Sequence, residues 1–150
     1  MSEQFLYQKL DAVKEFFPLP PIPDYITSNL APHIKLREYQ VEALQNTILY
    51  LENSKLSKNK QTHLLYHMAT GSGKTVIMAM NILYYYNKGY RNFLFFTNQT
   101  SIVNKTKINF TEPTSNKYLF AKSININGKN VNIRTVDNFQ TSHGDDICIA

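Results

Sequence analysis

One cysteine, no tryptophan and five glycines in 150 residues are each informative shortages. The lone Cys148 cannot close an internal disulfide, and no Cys/His spacing suits a structural zinc, so a reducing compartment is expected. Five glycines and six prolines are too few for a collagenous or low-complexity chain. No apolar run approaches the roughly 20 residues needed to span a bilayer. The opening MSEQFLYQKL also lacks the apolar core of a secretion signal. The expectation is a cytoplasmic protein with no membrane partner. Acidic residues are scarce too: 11 against 16 Lys and Arg, a formal net charge of +5. That balance leans toward a polyanion, although the lysines form no dense run. With 43% hydrophobic and 13% aromatic residues, the chain has material for one packed core, which excludes disorder as its main state.

What is present sorts into helical and extended patterns. Apolar residues between Glu3 and Phe17 recur near a helical period, with Ser2 available as N-cap. Prolines 18, 20, 21 and 23 then impose an extended strap, followed by a turn near Ser28-Asn29. Residues 1–33 are therefore read as an N-terminal helix with a proline-rich strap, and 34–150 as the main lobe. From Ile34 to Leu51 a second helix is expected, then the lysine-rich loop of Asn53 to Gln61. The apolar run from His63 to Met68, a Gly-rich turn, a helix from Lys74 to Asn87 and the run from Asn92 to Thr97 follow in order. Strand, loop, helix, strand is the pattern of a parallel α/β sheet. His63 and His67 bracket the first run and read as ordinary structural histidines. A helix over Gln99 to Phe110, a hairpin centred on Asn127-Gly128 and a buried strand at the end of the chain complete the reading.

The residues that carry chemistry are Met68-Ala69-Thr70-Gly71-Ser72-Gly73-Lys74-Thr75. Glycines let successive backbone N–H groups point at a phosphate, and the helix opening at Lys74 adds its positive dipole end. Lys74 would reach the β- and γ-phosphates of ATP, and the Thr75 hydroxyl would hold Mg²⁺. Thr70, Gly71, Ser72 and Gly73 complete the phosphate-binding set. Met68 stands where the general phosphate-loop pattern has glycine, which points away from small GTPase and kinase types. Upstream, Leu36-Arg37-Glu38-Tyr39-Gln40 opens the second helix. The Gln40 amide has the donor and acceptor needed to read the adenine edge, with Tyr39 or its neighbours available for stacking.

Together LREYQ, MATGSGKT and FLFFTNQTSIVNKTKINF resemble the Q-type motif, motif I and motif Ia of superfamily 2 helicase-like ATPases. Within that superfamily the chain most resembles the restriction (Res) subunits of type III restriction-modification enzymes, over residues from about Leu36 to Ala150. The resemblance implies an α/β fold: a RecA-like P-loop lobe, here with an N-terminal helical extension and an inserted β-hairpin. It implies an ATP- and Mg²⁺-dependent motor that translocates on DNA, coupled to cleavage, with recognition left to a methyltransferase (Mod) subunit. DNA-backbone contacts would come from Thr97, Asn98, Gln99 and Thr135, aided by Lys105 and Lys107.

Motif II, the acidic pair that holds Mg²⁺, should follow the last strand. Asp145-Asp146 precede that strand and cannot serve in its place. The chain thus reads as the N-terminal fragment of a larger enzyme, expected to bind nucleotide weakly and turn over negligibly when alone. Another superfamily 2 helicase or a type I restriction motor would share this first lobe. A small P-loop kinase would need a lid arginine, and only Arg91 and Arg134 lie downstream of the loop. A non-catalytic binding module is the remaining reading. For the hairpin two readings stand: a structural insertion, or a DNA contact through Lys129 and Arg134.

Overall fold

A computed structural model describes residues 5–53, 56, 61–140 and 144–150. Its elements in chain order are α1 (Leu6–Lys14), α2 (Asp24–Thr27), α3 (Glu38–Glu52), α4 (Lys74–Asn87), β1 (Asn92–Phe93), α5 (Thr100–Thr111), β2 (Ile124–Ile126), β3 (Lys129–Val131), β4 (Ile133–Thr135) and β5 (Ile147–Ile149). They pack as two units, one from the described residues of Met1–Ile22 and Leu36–Gly73, the other from those of Pro23–Lys35 and Lys74–Ala150.

In the first unit, α1 begins after Phe5, whose N–H donates to Gln8 Oε1 at 2.9 Å, the reciprocal half of a capping box. Ser2, the expected cap, lies outside the described residues. The helix ends at Lys14 and not at Phe17, because a residue before proline is disfavoured in the α region and Phe17 precedes Pro18. Lys14 Nζ bonds Glu42 of α3 at 2.9 Å, and Gln45 Nε2 of α3 donates to the Pro20 carbonyl at 2.9 Å, so both α1 and the strap are tied to α3. Helix α3 starts at Glu38, four residues later than its apolar spacing suggests, and buries Leu44, Thr47, Ile48 and Tyr50. Thr47 Oγ1 meets the Tyr66 hydroxyl. Residues 63–68, expected as a strand, have no ladder partner among the described residues, and Leu65 is 93% exposed. A local pattern can favour an extended backbone, but a strand needs cross-chain hydrogen bonds, which no local pattern encodes. Most of the lysine-rich loop of 53–61 lies outside the described residues.

The second unit is built on α4, which buries Ile77, Ala79, Met80, Ile82, Leu83, Tyr84 and Tyr86. Its C-terminus closes with the N–H of Gly89 on the Tyr86 carbonyl and that of Tyr90 on the Tyr85 carbonyl, both at 3.0 Å. This Schellman closure needs a left-handed residue, and Gly89 supplies it at φ +100°. The chain then enters a sheet of order β1-β5-β4, parallel throughout. Central β5 buries Ile147, Cys148 and Ile149, the continuous apolar run that a strand covered on both faces requires. The parallel sheet with its helices agrees with the expected α/β class. The strand expected over Asn92 to Thr97 is assigned only at its first two residues, although the N–H of Phe95 still reaches the Ala150 carbonyl at 3.0 Å. Helix α5 follows at Thr100, one residue later than expected, and sets Phe110 against Phe120 with ring centroids 5.9 Å apart.

Strands β2 and β3 pair antiparallel across Asn127 and Gly128, which have φ of 54° and 77°, as a type I′ turn demands. The hairpin is shorter than its alternation predicts. At Asn132 the backbone N–H turns to Asp146 Oδ1 at 3.3 Å, and Ile133–Thr135 leaves to pair with β5 instead of β2. Asn29 anchors this region. It is 3% exposed, its Oδ1 accepts the Asn125 N–H at 2.8 Å, and its Nδ2 donates to the carbonyls of Tyr25 at 2.7 Å and Asn125 at 2.8 Å. Among the described residues, no helix is long and apolar enough to cross a membrane.

Cys148 is 3% exposed, and burial, aided by the Asp146 charge, pushes its thiol up from the ordinary value. A thiol kept protonated and covered is a poor nucleophile. Mass-mapped alkylation is therefore expected to leave Cys148 unmodified in the native protein and to label it fully in denaturant; native labelling at an unfolded-state rate would contradict the burial.

Candidate functional site

The segment Ala69–Gly73 forms a tight turn. Ser72 donates to the Ala69 carbonyl twice, from its N–H at 3.3 Å and its Oγ at 2.7 Å. Gly71 and Gly73 have φ of +78° and +82°, with Ser72 of ordinary hand between them. Alternating hand over successive residues directs backbone N–H groups to a common side, which is the anion-binding nest. A Cβ at Gly71 would meet nothing within 4 Å, so the requirement for glycine there is conformational, not steric. The chain passes directly from Gly73 into Lys74, the first residue of α4, with Lys74 exposed and Thr75 half-buried. Thr70 is exposed at the turn. Backbone amides turned to one side suit a phosphate group, and a lysine and a threonine follow them directly in the chain.

Gln40 is 4% exposed, and its amide is engaged in two directions. Oε1 accepts the Arg37 N–H at 3.0 Å, capping α3, while Nε2 donates to the Ser72 carbonyl at 3.0 Å. The structure thus brings Gln40 to the glycine loop. The Tyr39 hydroxyl donates to the same carbonyl at 2.8 Å and accepts from Arg37 Nη1 at 2.9 Å. Sequence reasoning saw Tyr39 as a stacking ring and missed its hydroxyl; adjacency to Gln40 in LREYQ was the available signal. A cavity of about 880 Å³ in this unit is lined by Tyr39, Tyr50, Tyr66 and other residues and reaches Ala69 and Ser72 of the loop.

In the second unit, the register Phe93↔Ile149 and Thr135↔Ile149 puts the C-terminal ends of three parallel strands at one edge. Thr97, Asn98 and Gln99 follow β1 there, Gln99 as the N-cap of α5, and Thr135 ends β4. Thr97 is half-buried, while Asn98, Gln99, Thr135, Lys105 and Lys107 are exposed. Open α/β sheets bind their ligands at this edge.

Asp145 and Asp146 sit at the opposite end of β5 and are committed elsewhere. Asp145 bonds Lys129 Nζ at 2.8 Å and lies 3.6 Å from Arg91 Nη2, and its carbonyl accepts the Tyr86 hydroxyl at 2.7 Å. Arg91 also caps the end of α4 by donating to the Tyr86 carbonyl at 2.9 Å, with its guanidinium 3.9 Å from the Tyr86 ring centroid. Asp146 binds Arg134 Nε and both nitrogens of Asn132. Lys129 and Arg134 therefore hold β3 and β4 to the start of β5, which favours the structural reading of the hairpin over phosphate contact.

The Lys129 ammonium holds the Asp145 carboxyl below the ordinary value of 3.8. Burial pushes the Asp146 carboxyl up, but hydrogen bonds from Arg134 and Asn132 outweigh it and leave it below 3.8 as well. Depressed carboxylates contribute stability that is complete above their unfolded-state value and is lost as pH falls through the lower folded values. Hydrogen exchange at the Ile147 amide is expected to accelerate only below about pH 4, and Asp146→Asn should flatten that acid response. Constant protection through this range would refute the hold of Asp145 and Asp146 on β3 and β4.

A family model described as "Type III restriction enzyme, res subunit" matches residues 33–150. The chain is 46% identical over 138 residues to the "Probable type III restriction-modification enzyme HindVIP Res subunit" of Haemophilus influenzae, covering 89% of this chain and 26% of that relative. The chain thus spans about a quarter of the relative's length. No solved structure matches. With the glycine loop, the strand-end edge and 118 consecutive residues under one family description, the chain belongs to the family of type III restriction enzyme Res subunits.

Proposed function

We propose that this chain is the nucleotide-binding part of the motor of a cytoplasmic type III restriction endonuclease, in which ATP hydrolysis drives translocation on DNA coupled to cleavage. The observation that carries the reading is the Gly71–Gly73 nest running straight into Lys74 at the start of α4. In this reading the phosphates lie on Thr70 to Thr75. Lys74 supplies a point charge as negative charge moves onto the leaving oxygens, and the backbone amides are aimed beforehand, so little reorganisation is needed in the transition state. Mg²⁺, held by the Thr75 hydroxyl, would neutralise phosphate charge. The adenine would lie in the aromatic cavity beside Tyr39, with Gln40 keeping one amide hydrogen for the base.

DNA would run along the strand-end edge, its backbone contacted by Thr97, Asn98, Gln99 and Thr135 and attracted by Lys105 and Lys107. The Haemophilus relative is named as a restriction-modification enzyme, which supports a modification (Mod) subunit as partner. Engagement of Arg91 and Arg134 in packing disfavours a small P-loop kinase, since neither is placed as a lid. The test is DNA-stimulated ATP hydrolysis and cleavage by the full-length protein with its modification partner. Both are expected, and absence of nucleotide binding would overturn the reading.

A further inference from the structure

The Ser72 carbonyl takes two side-chain donors from α3, the Tyr39 hydroxyl at 2.8 Å and Gln40 Nε2 at 3.0 Å. A carbonyl oxygen has two lone pairs, and two donors converging on it fix the plane of the Ser72–Gly73 peptide. That peptide is trans, so its N–H points opposite to its carbonyl, away from α3. We infer that Tyr39 is a positioning residue for phosphate: with Gln40 it clamps the Ser72 carbonyl and thereby aims the Gly73 N–H at the nucleotide. The inference rests on the phosphate-loop reading above.

Both clamp donors are themselves oriented by Arg37. Its Nη1 donates into the Tyr39 hydroxyl at 2.9 Å, and its backbone N–H fixes Gln40 through Oε1 at 3.0 Å. A cationic donor into a hydroxyl strengthens the bond that the hydroxyl donates onward. The device answers a weakness of the loop. Two glycines at positive φ give a nest its shape but leave it conformationally free, and an amide that must first be ordered contributes less to binding. The clamp orders it through side chains of α3 and leaves the phosphate side open.

Three ligands on the full-length protein test this: Mg-ATP, inorganic tripolyphosphate and adenosine, with binding measured calorimetrically. Tyr39→Phe keeps the ring and removes only the hydroxyl; its fold is checked by circular dichroism. It should weaken Mg-ATP and tripolyphosphate by the same factor, about three- to tenfold, the loss expected for one neutral hydrogen bond, and leave adenosine unchanged. Gln40→Glu, which keeps the Arg37 acceptor and turns a carboxylate toward the carbonyl, should weaken both phosphate ligands more than tenfold. Unchanged tripolyphosphate affinity in folded Tyr39→Phe overturns the clamp. Loss confined to Mg-ATP and adenosine also overturns it and assigns Tyr39 to the base. If the wild type fails to bind tripolyphosphate, or Lys74→Ala binds it equally well, the phosphate-loop reading fails and the clamp with it.

Discussion

Lys74→Ala is expected to lower DNA-stimulated ATP turnover by the full-length protein at least 10²- to 10³-fold, and DNA cleavage should disappear with it. Lys74 is exposed at the first position of α4 and contributes nothing to the buried set of that helix, which starts at Ile77. Its removal therefore opens no cavity, and alanine is the best helix former for the vacated position. In the proposed function what disappears is the Lys74 ammonium, whose worth is greatest when charge builds on the transferring phosphate. Steady-state phosphate release and plasmid cleavage, with circular dichroism as the control for folding, check this. Wild-type turnover in a folded variant would remove the motor assignment.

Asn29→Ala is expected to be the most damaging polar substitution in the second unit. It deletes three hydrogen bonds at once and strands the N–H and carbonyl of Asn125 beside a buried position. Leaving a buried polar group unsatisfied costs about 1–3 kcal/mol, more than the loss of the same bond in water. The effect should be local in origin: hydrogen exchange at Asn125 and its neighbours in β2 accelerates first, because that strand loses its tether to α2. Asn29→Asp tests the chemistry. It keeps the acceptor for the Asn125 N–H but turns a carboxylate oxygen toward the carbonyls of Tyr25 and Asn125, so its protection should fall at least as far as that of alanine. Equal exchange in all three proteins would show that Asn29 merely fills a turn.

Some of this was legible in the sequence, for definable reasons. Helix α4 could be read residue for residue, because its burial period and the Gly89 stop are local properties. The type I′ turn at Asn127-Gly128 was equally local. The glycine loop was legible because a turn with two positive-φ positions demands glycine at both. The end of the hairpin was not. Alternation continued through Ile133, yet the Asp146 carboxylate, far along the chain, competes for the Asn132 amide and sends the next strand into the parallel sheet. Lys129 and Arg134 left two readings open in the same way, since a basic residue shows its charge in the sequence but not its partner.

Periodicity and turn chemistry by themselves determined the α/β class and the glycine turn, since each depends on neighbours within a few residues, while the resemblance of LREYQ, MATGSGKT and FLFFTNQTSIVNKTKINF to known motifs pointed to the family. Only the tertiary structure decided that the Gln40 amide and the Tyr39 hydroxyl converge on the Ser72 carbonyl, that Asp145 and Asp146 fasten strands, and that Asn29, in the expected turn, is also a buried tether. The physical reason is the same in each case. A polar side chain carries its donors and acceptors in its formula, but which groups fill them is set by packing that brings residues up to 96 positions apart within hydrogen-bond distance.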